Sequence, residues 1–320
     1  MANPAFATAS AGTRKVLITG GAGFIGSALS RHLQELGHEV FVLDDLSFGR
    51  RPLAGVPDAR FFKVDIRDRR ATQEVFAATR PAWVLHLAAV HFIPYCNEHP
   101  AEAADINING TVSVLDAAQA TAGVEQVFVA STAAVYPIAD GAMAEDHEPG
   151  PMDIYGTTKL ATEKLASEFH LRTRIPTIVG RFFNAFGPNE TNPHLFPTIQ
   201  RQVLDGARTL KLGNLDPKRD YIHTEDMSRA MSALLGAGVA GFDTFNIGRG
   251  IEYSVREVVE AFGRQLGEEL RIAVDPARVR KVERMHLLAD VRKLKAATGW
   301  EPRWGIDEGV ATLLKEHVTT

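Results

Sequence analysis

Cysteine is almost absent from this chain, which has one among 320 residues, Cys96. A single cysteine excludes an internal disulfide, and no spacing of cysteine and histidine resembles a zinc site. Long apolar runs are also missing: no stretch approaches the ~18 apolar residues of a membrane span, and the first residues lack the features of a secretory signal. We therefore expect a cytoplasmic protein without a resident metal.

The chain also lacks a surplus of basic residues. It carries 35 Lys and Arg against 39 Asp and Glu, a formal net charge of -4. Nucleic acid or an anionic membrane would require the opposite balance, so neither is expected as a partner. Any phosphate group must then be bound by local features of the fold. With 45% hydrophobic and 23% charged residues, the composition is that of an ordinary globular protein.

Strand and helix patterns alternate along the first part of the chain. This alternation predicts the α/β class, with a doubly wound parallel sheet and right-handed crossovers. After Pro188 the pattern changes to short helices and loops, which favours a smaller C-terminal α+β domain over the strand ends. We predict a larger domain over residues 14–183 and 221–248, a smaller one over 184–220 and 249–320, and a disordered tail over residues 1–13.

A glycine-rich turn joins the first predicted strand to the first helix, in the segment KVLITGGAGFIG from Lys15 to Gly26. Gly20, Gly23 and Gly26 are three residues apart. The first permits a sharp turn, the second lets the backbone approach a pyrophosphate, and the third lets the helix pack on the strand. The free N–H groups of the helix would then face the anion. This pattern predicts a dinucleotide site.

Acidic residues end the next two predicted strands. Asp44 ends the strand EVFVLDD, where a carboxylate can bind both ribose hydroxyls of a dinucleotide and would repel a 2′-phosphate. NAD is therefore favoured over NADP, although Arg50 and Arg51 follow closely. Asp65 lies in the strand predicted from Arg60 to Ile66, at a position suited to contact an adenine edge.

The fourth predicted strand, AWVLHLAAV, ends in small residues. Ala88 and Ala89 leave room for a flat cofactor to lie against the backbone. His91 and Cys96 follow in a loop; either can line the cleft, but a packed histidine and an inert buried thiol are the favoured interpretations. Asn107, on the long helix that follows, is expected to hydrogen-bond the loops of the cleft floor.

Tyr155 and Lys159 are four residues apart in the segment IYGTTKLA. On a helix this spacing places both side chains on one face, with the ammonium beneath the phenol. A nearby cation favours the phenolate, so the phenol can act as a general base toward a sugar or alcohol hydroxyl. The strand QVFVA brings Ser131 and Thr132 to the sheet edge where open α/β folds bind ligands, and a hydroxyl there can share the substrate proton with Tyr155.

Together these motifs resemble the extended short-chain dehydrogenase/reductases that act on nucleotide sugars. The likeness runs from about Lys15 to Trp304 and rests on GGAGFIG, Asp44, HLAA, STAAVY, YGTTK, FFNAFGP and RDYIHTED. Within that family the chain is most similar to the sugar-nucleotide 4-epimerases of the UDP-glucose 4-epimerase type. The resemblance implies a Rossmann fold, NAD as the cofactor, a nucleotide-sugar substrate, and a homodimer formed through the long helices near Ala101 and Tyr155.

The resemblance also implies roles for individual residues. Tyr155 would be the base, and Lys159 would also hold the nicotinamide ribose. Thr132 would bind the sugar O4, with Ser131 as its support. The implied substrate ligands are Thr132, Tyr155, Asn184, Arg219 and Arg280. The implied NAD site comprises Gly20, Gly23, Phe24, Ile25, Gly26, Asp44, Asp45, Leu46, Ser47, Gly49, Asp65, Ile66, Leu87, Ala88, Ala89, His91, Asn107, Ser131, Tyr155, Lys159 and Phe183.

One segment departs from the family pattern. A second phosphate-binding arginine usually opens an Arg-x-Gly-Asp turn in this family, but the matching stretch here is Arg280 to Glu283, which lacks the glycine. Arg278, Arg280 and Arg284 all stay candidates for the second phosphate ligand.

The implied reaction is an NAD-dependent 4-epimerisation through a transient 4-keto sugar, in which Tyr155 removes the C4 hydroxyl proton while hydride leaves C4. A 4,6-dehydratase of this family needs an Asp-Glu pair after the threonine. Here Thr132 is followed by Ala133 and Ala134, which cannot transfer protons. Decarboxylation or 4-epimerisation of a nucleotide uronate and net 4-keto reduction stay open. A non-catalytic NAD-binding regulator is disfavoured because Thr132, Tyr155 and Lys159 are intact.

Overall fold

The computed structural model describes residues 12–279 and 284–315. The predicted tail, apart from residues 12 and 13, and the candidate ligand Arg280 lie outside the described residues. The strands are β1 Lys15–Thr19, β2 Glu39–Leu43, β3 Phe61–Phe62, β4 Trp83–His86, β5 Gln126–Thr132, β6 Ala142–Met143, β7 Thr177–Phe182, β8 Asn184–Phe186, β9 Thr209–Leu212, β10 Lys218–His223, β11 Phe242–Ile247, β12 Glu252–Ser254, β13 Arg271–Val274 and β14 His286–Ala289. The α-helices are α1 Phe24–Glu35, α2 Arg69–Thr79, α3 Ile93–Glu98, α4 Pro100–Ala104, α5 Gly110–Ala120, α6 Ile154–Thr173, α7 Leu195–Leu204, α8 Thr224–Gly236, α9 Val255–Leu266, α10 Arg292–Thr298 and α11 Ile306–Lys315.

Seven strands form the main sheet, in the order β11-β7-β5-β4-β1-β2-β3. Every neighbouring pair in this sheet is parallel. The strand order reverses at β1, which pairs with β2 on one side and with β4 on the other. The carboxyl ends of strands at such a reversal leave a crevice, which is where open α/β sheets bind ligands. The predicted doubly wound parallel sheet is therefore confirmed.

Alternation along the strands gives the main sheet a core on each face. Val16 and Ile18 of β1 pack on one face with Leu29 of α1. Leu17, between them in sequence, packs on the opposite face with Val114 of α5. A strand in a parallel sheet that is covered by helices on both sides must be apolar on both faces. This requirement explains why the three central residues of β1, Val16 to Ile18, are all apolar.

A second sheet covers the carboxyl ends of the main sheet's strands. Its order is β12-β10-β14-β6, and β8 pairs with β10. The segment PTIVGRFFNAFGP, predicted as one strand, is divided: β7 ends at Phe182 in the main sheet, and β8 begins at Asn184 in the second sheet. Phe183 is the residue at which the chain passes from one sheet to the other.

Two further predicted elements differ from the structure. The third strand has two residues instead of seven, and a turn in which Asp68 N–H donates to Asp65 O at 2.9 Å leads from it to α2. The helix predicted over 101–122 consists of α4, a wide π-helical turn at Asp105–Asn109, and α5.

The predicted domain boundaries also cross elements of the structure. β6, assigned to the larger domain, pairs with β14 in the second sheet. Leu294 and Trp300, assigned to the smaller domain, pack in the core between the main sheet, α1 and α8. Among residues 12–279 and 284–315, no helix combines the length and apolarity needed to cross a membrane. The homodimer and the cytoplasmic compartment stay predictions.

Candidate active site

A cavity of about 720 Å³ lies between the carboxyl edge of the main sheet and the second sheet. It brings together most of the site residues expected from the sequence, although they are far apart along the chain. Those that line it are Gly20, Gly23, Phe24, Ile25, Gly26, Asp44, Asp45, Ser47, Gly49, Asp65, Ile66, Leu87, Ala88, Ala89, His91, Ser131, Thr132, Tyr155, Lys159, Phe183, Asn184 and Arg219.

The glycine-rich turn forms a cradle between β1 and α1. Gly20 has a φ of +74°, and a Cβ there would lie 2.7 Å from the backbone nitrogen of Ala88. A Cβ on Gly26 would lie 2.1 Å from the carbonyl oxygen of Gly20, so α1 can approach β1 this closely only without a side chain. No side chain caps the N-terminus of α1. Its free N–H groups therefore suit a diphosphate, as the sequence predicted.

Asp44 lies at the end of β2 with its carboxylate held by the backbone. Oδ2 accepts a hydrogen bond from Ala22 N at 3.0 Å, and Oδ1 accepts one from Leu46 N at 2.9 Å. Burial raises the pKa of Asp44, while these two hydrogen bonds lower it. A carboxylate fixed at this edge suits the ribose of NAD and repels a 2′-phosphate. The nearby Arg51 is occupied elsewhere, stacked 4.4 Å from the Phe61 ring centroid and paired with Asp58.

Two expected cofactor ligands support the cavity without lining it. The side chain of Leu46 packs against the core, and only its N–H reaches Asp44. Asn107 is 1% exposed; its Oδ1 accepts from Val90 N at 2.8 Å, and its Nδ2 donates to Val90 O and to Thr158 Oγ1, both at 3.0 Å. Its side chain therefore fixes the Val90 backbone, as the cleft-floor interpretation predicted, and its contact with the cofactor stays a prediction.

His86 is a buried support that the sequence analysis missed. Thr111 Oγ1 donates to Asn107 O at 2.6 Å, so it must accept from His86 Nε2 at 2.9 Å. Nδ1 of His86 then accepts from Thr19 Oγ1 at 2.7 Å. Burial lowers the pKa of His86 to about 3, which agrees with this neutral tautomer. The ring joins the ends of β1 and β4 to the helical layer behind them.

Asp65 and the residues of the 91–96 loop are held in place by contacts with the rest of the protein. Arg67 pairs with Asp65 at 2.6 Å and lowers the pKa of that carboxyl group. Asn192 Nδ2 donates to Nε2 of His91 at 3.1 Å, and desolvation in the cleft lowers the pKa of His91. Cys96 is fully buried, and burial raises the pKa of its thiol to about 11. It is the inert thiol that was expected.

Thr132, Tyr155 and Lys159 meet at the end of β5 and the start of α6. Asp153 caps α6 by accepting from Gly156 N at 2.7 Å, and so fixes the turn that carries Tyr155. Burial raises the pKa of Tyr155 above its ordinary range, and a hydrogen bond with Thr132 lowers it. Burial lowers the pKa of Lys159 to about 8. Desolvation therefore opposes the shift toward the phenolate that a neighbouring cation was expected to give.

Two arginines lie together on the opposite wall of the cavity. Arg219 Nη1 donates to Arg284 O at 2.7 Å, and Arg284 Nη2 donates to Tyr136 O at 2.7 Å. Arg278 also lines the cavity and pairs with Asp275 at 3.2 Å. Sequence reasoning left Arg284 undecided because only the pairing of β14 with β10 and β6 brings it to this wall.

Comparison with known proteins agrees with this geometry. The NAD dependent epimerase/dehydratase family matches residues 16–248. The chain is 30% identical over 323 residues to the UDP-glucose 4-epimerase of Lactobacillus helveticus, covering 95% of this chain and 97% of that protein. The crystal structure of Thermus thermophilus UDP-glucose 4-epimerase complexed with NAD superposes with a TM-score of 0.84 at 30% identity, over 94% of this chain and 97% of that one. The structure of the Thermotoga maritima UDP-glucose 4-epimerase with UDP-glucose gives a TM-score of 0.86 at 27% identity, over 95% and 99%. The fold around the glycine cradle, Asp44 and the Thr132–Tyr155–Lys159 group is thus the one that their sequence pattern implied. The chain belongs to the NAD dependent epimerase/dehydratase family.

Proposed function

We propose that this protein catalyses the NAD-dependent 4-epimerisation of a UDP-sugar of the glucose/galactose type. One observation carries the proposal: Thr132, Tyr155 and Lys159 line the same cavity as the dinucleotide cradle on one side and the paired arginines on the other. A nucleotide sugar held between them would present a sugar hydroxyl to Tyr155. The relatives named UDP-glucose 4-epimerase, one crystallised with NAD and one with UDP-glucose, support this assignment.

Tyr155 is proposed to remove the proton from the sugar C4 hydroxyl, and Thr132 to hold that oxygen. Bound NAD+ would supply the hydride acceptor at C4 and the hydride donor to the opposite face, and its positive charge would add to that of Lys159. Two cations beside the phenol oppose the effect of burial on its pKa. Tyr155 then gives the proton back to the C4 oxygen. Ala133 and Ala134 line the cavity beside Thr132 and offer no proton donor for dehydration.

Arg284 is proposed as the second phosphate ligand, together with Arg219 and Asn184. Its Nη1 is buried and has no hydrogen-bond partner within residues 12–279 and 284–315. Burial lowers the pKa of Arg284, and the neighbouring charge of Arg219 lowers it further. A buried guanidinium nitrogen that makes no hydrogen bond, beside a second cation, is costly unless an anion binds it. A diphosphate supplies that anion, and a guanidinium can bind its oxygens through two parallel hydrogen bonds.

Arg284→Met is expected to raise the KM for UDP-glucose about 30-fold, because a charge-assisted hydrogen bond to a phosphate contributes about 2 kcal/mol. The NAD content should not change, since the proposed contact is with the substrate. Initial rates measured against UDP-glucose concentration test this. Arg264→Met is the matched control, because Arg264 pairs with Asp307 on the exposed surface away from the cavity. A KM unchanged by Arg284→Met would remove Arg284 from the substrate site.

The function itself is tested by incubating the purified protein with NAD+ and, separately, UDP-glucose, UDP-N-acetylglucosamine or UDP-glucuronate, and by following the products by NMR. We expect UDP-glucose to yield UDP-galactose with no net NADH. Release of CO2 from UDP-glucuronate would favour a decarboxylase, and accumulation of NADH a dehydrogenase. Binding of all three sugars without conversion would favour a non-catalytic role and would contradict the proposal.

A further inference from the structure

Glu163 occupies the same face of α6 as Tyr155 and Lys159, but the reaction described above gives it no role. It lies four residues beyond Lys159, so the three side chains follow one line along the helix. Glu163 is 6% exposed and Lys159 is 2% exposed. Burying a carboxylate costs free energy unless it is paired and hydrogen-bonded. The hydrogen-bond partners of Glu163 therefore indicate which parts of the protein its carboxylate holds together.

Both oxygens of Glu163 are bound by the main sheet. Oε1 accepts from Ser131 Oγ at 2.5 Å and from Arg181 Nε at 2.9 Å, and Oε2 accepts from Arg181 Nη2 at 2.8 Å. Ser131 on β5 and Arg181 on β7 are register partners in neighbouring strands. A single carboxylate thus joins α6 to two strands at the carboxyl edge of the sheet, next to the candidate active site.

Arg181 is itself fixed on its other sides. Its Nη1 donates to Glu145 O at 3.1 Å, and its guanidinium lies 4.8 Å from the centroid of the Tyr136 ring. The Tyr136 hydroxyl donates to Asn246 Oδ1 at 2.7 Å. The carboxylate of Glu163 therefore binds a guanidinium that cannot easily move, and a bidentate pair of this kind is also geometrically specific.

Ser131 directly precedes Thr132, whose hydroxyl lies near enough to Tyr155 to lower the pKa of its phenol. We propose that Glu163 is a positioning residue: by binding Ser131 and Arg181 it holds the end of β5 against α6, and so sets Thr132, Tyr155 and Lys159 at their working distances. This inference rests on the proposed epimerase function for its kinetic consequences. Its structural and spectroscopic consequences do not depend on which sugar the protein converts.

The charge of Glu163 has a second consequence. Lys159 donates no hydrogen bond to a protein group in the described part of the chain. Burial lowers its pKa, and the carboxylate of Glu163 raises it. His86 and His91 also face Lys159; burial lowers the pKa of His86 to about 3, and the Nε2 of His91 accepts a hydrogen bond from Asn192. Cys96 and Asp153 face Tyr155 and disfavour the phenolate. Without Glu163, the ammonium loses its proton at a lower pH, so the alkaline limit of activity moves down.

The test is the double variant Glu163→Met/Arg181→Met, which removes both charges together. Replacing a whole buried ion pair by apolar residues of similar size is often tolerated, whereas removing one partner leaves an uncompensated charge. We expect a melting temperature and NAD content close to those of the wild type. kcat for UDP-glucose should fall about 100-fold with little change in KM, because the reacting groups are misplaced. The alkaline limb of the kcat profile should move down by about one pH unit.

A purely structural role predicts a different result, namely that kcat and the pH profile of the double variant match the wild type once the fold is retained. That result would overturn the proposal. The control is Glu168→Met/Arg172→Met, because this Glu–Arg pair lies on the exposed side of the same helix. Should the first double variant fail to fold, Ser131→Ala keeps the ion pair and removes only the link to β5. It should lower kcat about 10-fold without moving the alkaline limb.

One readout separates this inference from the proposed function. The ultraviolet absorbance of tyrosinate, taken as wild type minus Tyr155→Phe with NAD+ bound, follows the ionisation of Tyr155 without any substrate. In the Glu163→Met/Arg181→Met background the midpoint should move to higher pH, since a displaced Thr132 hydroxyl no longer lowers the pKa of the phenol. An unchanged midpoint would contradict the inference even if the wild type epimerises UDP-glucose. A shifted midpoint would support it even if UDP-glucose is not the substrate.

Discussion

Tyr155→Phe is expected to lower kcat for UDP-glucose about 1,000-fold, since a positioned general base contributes two to four orders of magnitude. The substitution removes one oxygen and leaves the ring to fill the same space. NAD should stay bound, because the cradle at Gly20 and the carboxylate of Asp44 are untouched. The measurements are product formation by NMR and the NAD released when the protein is denatured.

Tyr95→Phe is the matched control for this substitution. The Tyr95 hydroxyl donates to Glu102 at 2.7 Å on the exposed surface, outside the cavity. Its removal should leave kcat within about twofold, because an exposed hydrogen bond contributes little. Near-normal activity of Tyr155→Phe would show that another group takes the proton, and the mechanism proposed here would be wrong.

Gly26→Ala is expected to abolish stable NAD binding. A methyl group there would lie 2.1 Å from Gly20 O and 2.8 Å from the Cα of Gly21. Both are backbone atoms, so no side-chain rotation can relieve the clash. The start of α1 must then move away from β1, which withdraws its N–H groups from the diphosphate. We expect an NAD dissociation constant raised at least about 100-fold and a free energy of unfolding lowered by about 3 kcal/mol.

Titration calorimetry with NAD+ and chemical denaturation measure these two effects. Gly236→Ala is the control, because no heavy atom lies within 4 Å of a Cβ at Gly236, the last residue of α8. That substitution should be neutral or slightly stabilising, since alanine favours the helix. If Gly26→Ala binds NAD as tightly as the wild type, the glycine cradle is not the diphosphate site.

Most of the cofactor side of the cavity could be predicted because its determinants are local. Gly20, Gly26 and Asp44 act within one strand–turn–helix unit, and their spacing alone limits what the backbone can do. The pairing of Tyr155 with Lys159 is local for the same reason, as it follows from the period of a helix. Each of these predictions required no knowledge of which elements are neighbours in space.

The remaining features depend on contacts between distant segments. In the sequence, Arg181 is one polar residue in an otherwise apolar strand. Its ion pair with Glu163 forms only because β7 lies beside β5 under α6. Asn107 was assigned to the cofactor by the family resemblance, and only the structure shows that its amide binds Val90 and Thr158. The position of Arg284 in the cavity wall likewise depends on the pairing of β14 with β10 and β6 in the second sheet.

The amino-acid sequence by itself determined the fold class, the glycine-rich turn and the placing of Tyr155 and Lys159 on one helix face, because these follow from backbone geometry and helical period. Only the tertiary structure decided how strongly each group is desolvated, and desolvation reversed the expected direction of the pKa shift at Tyr155. Burial is a property of the whole packed chain, so no short motif can specify it.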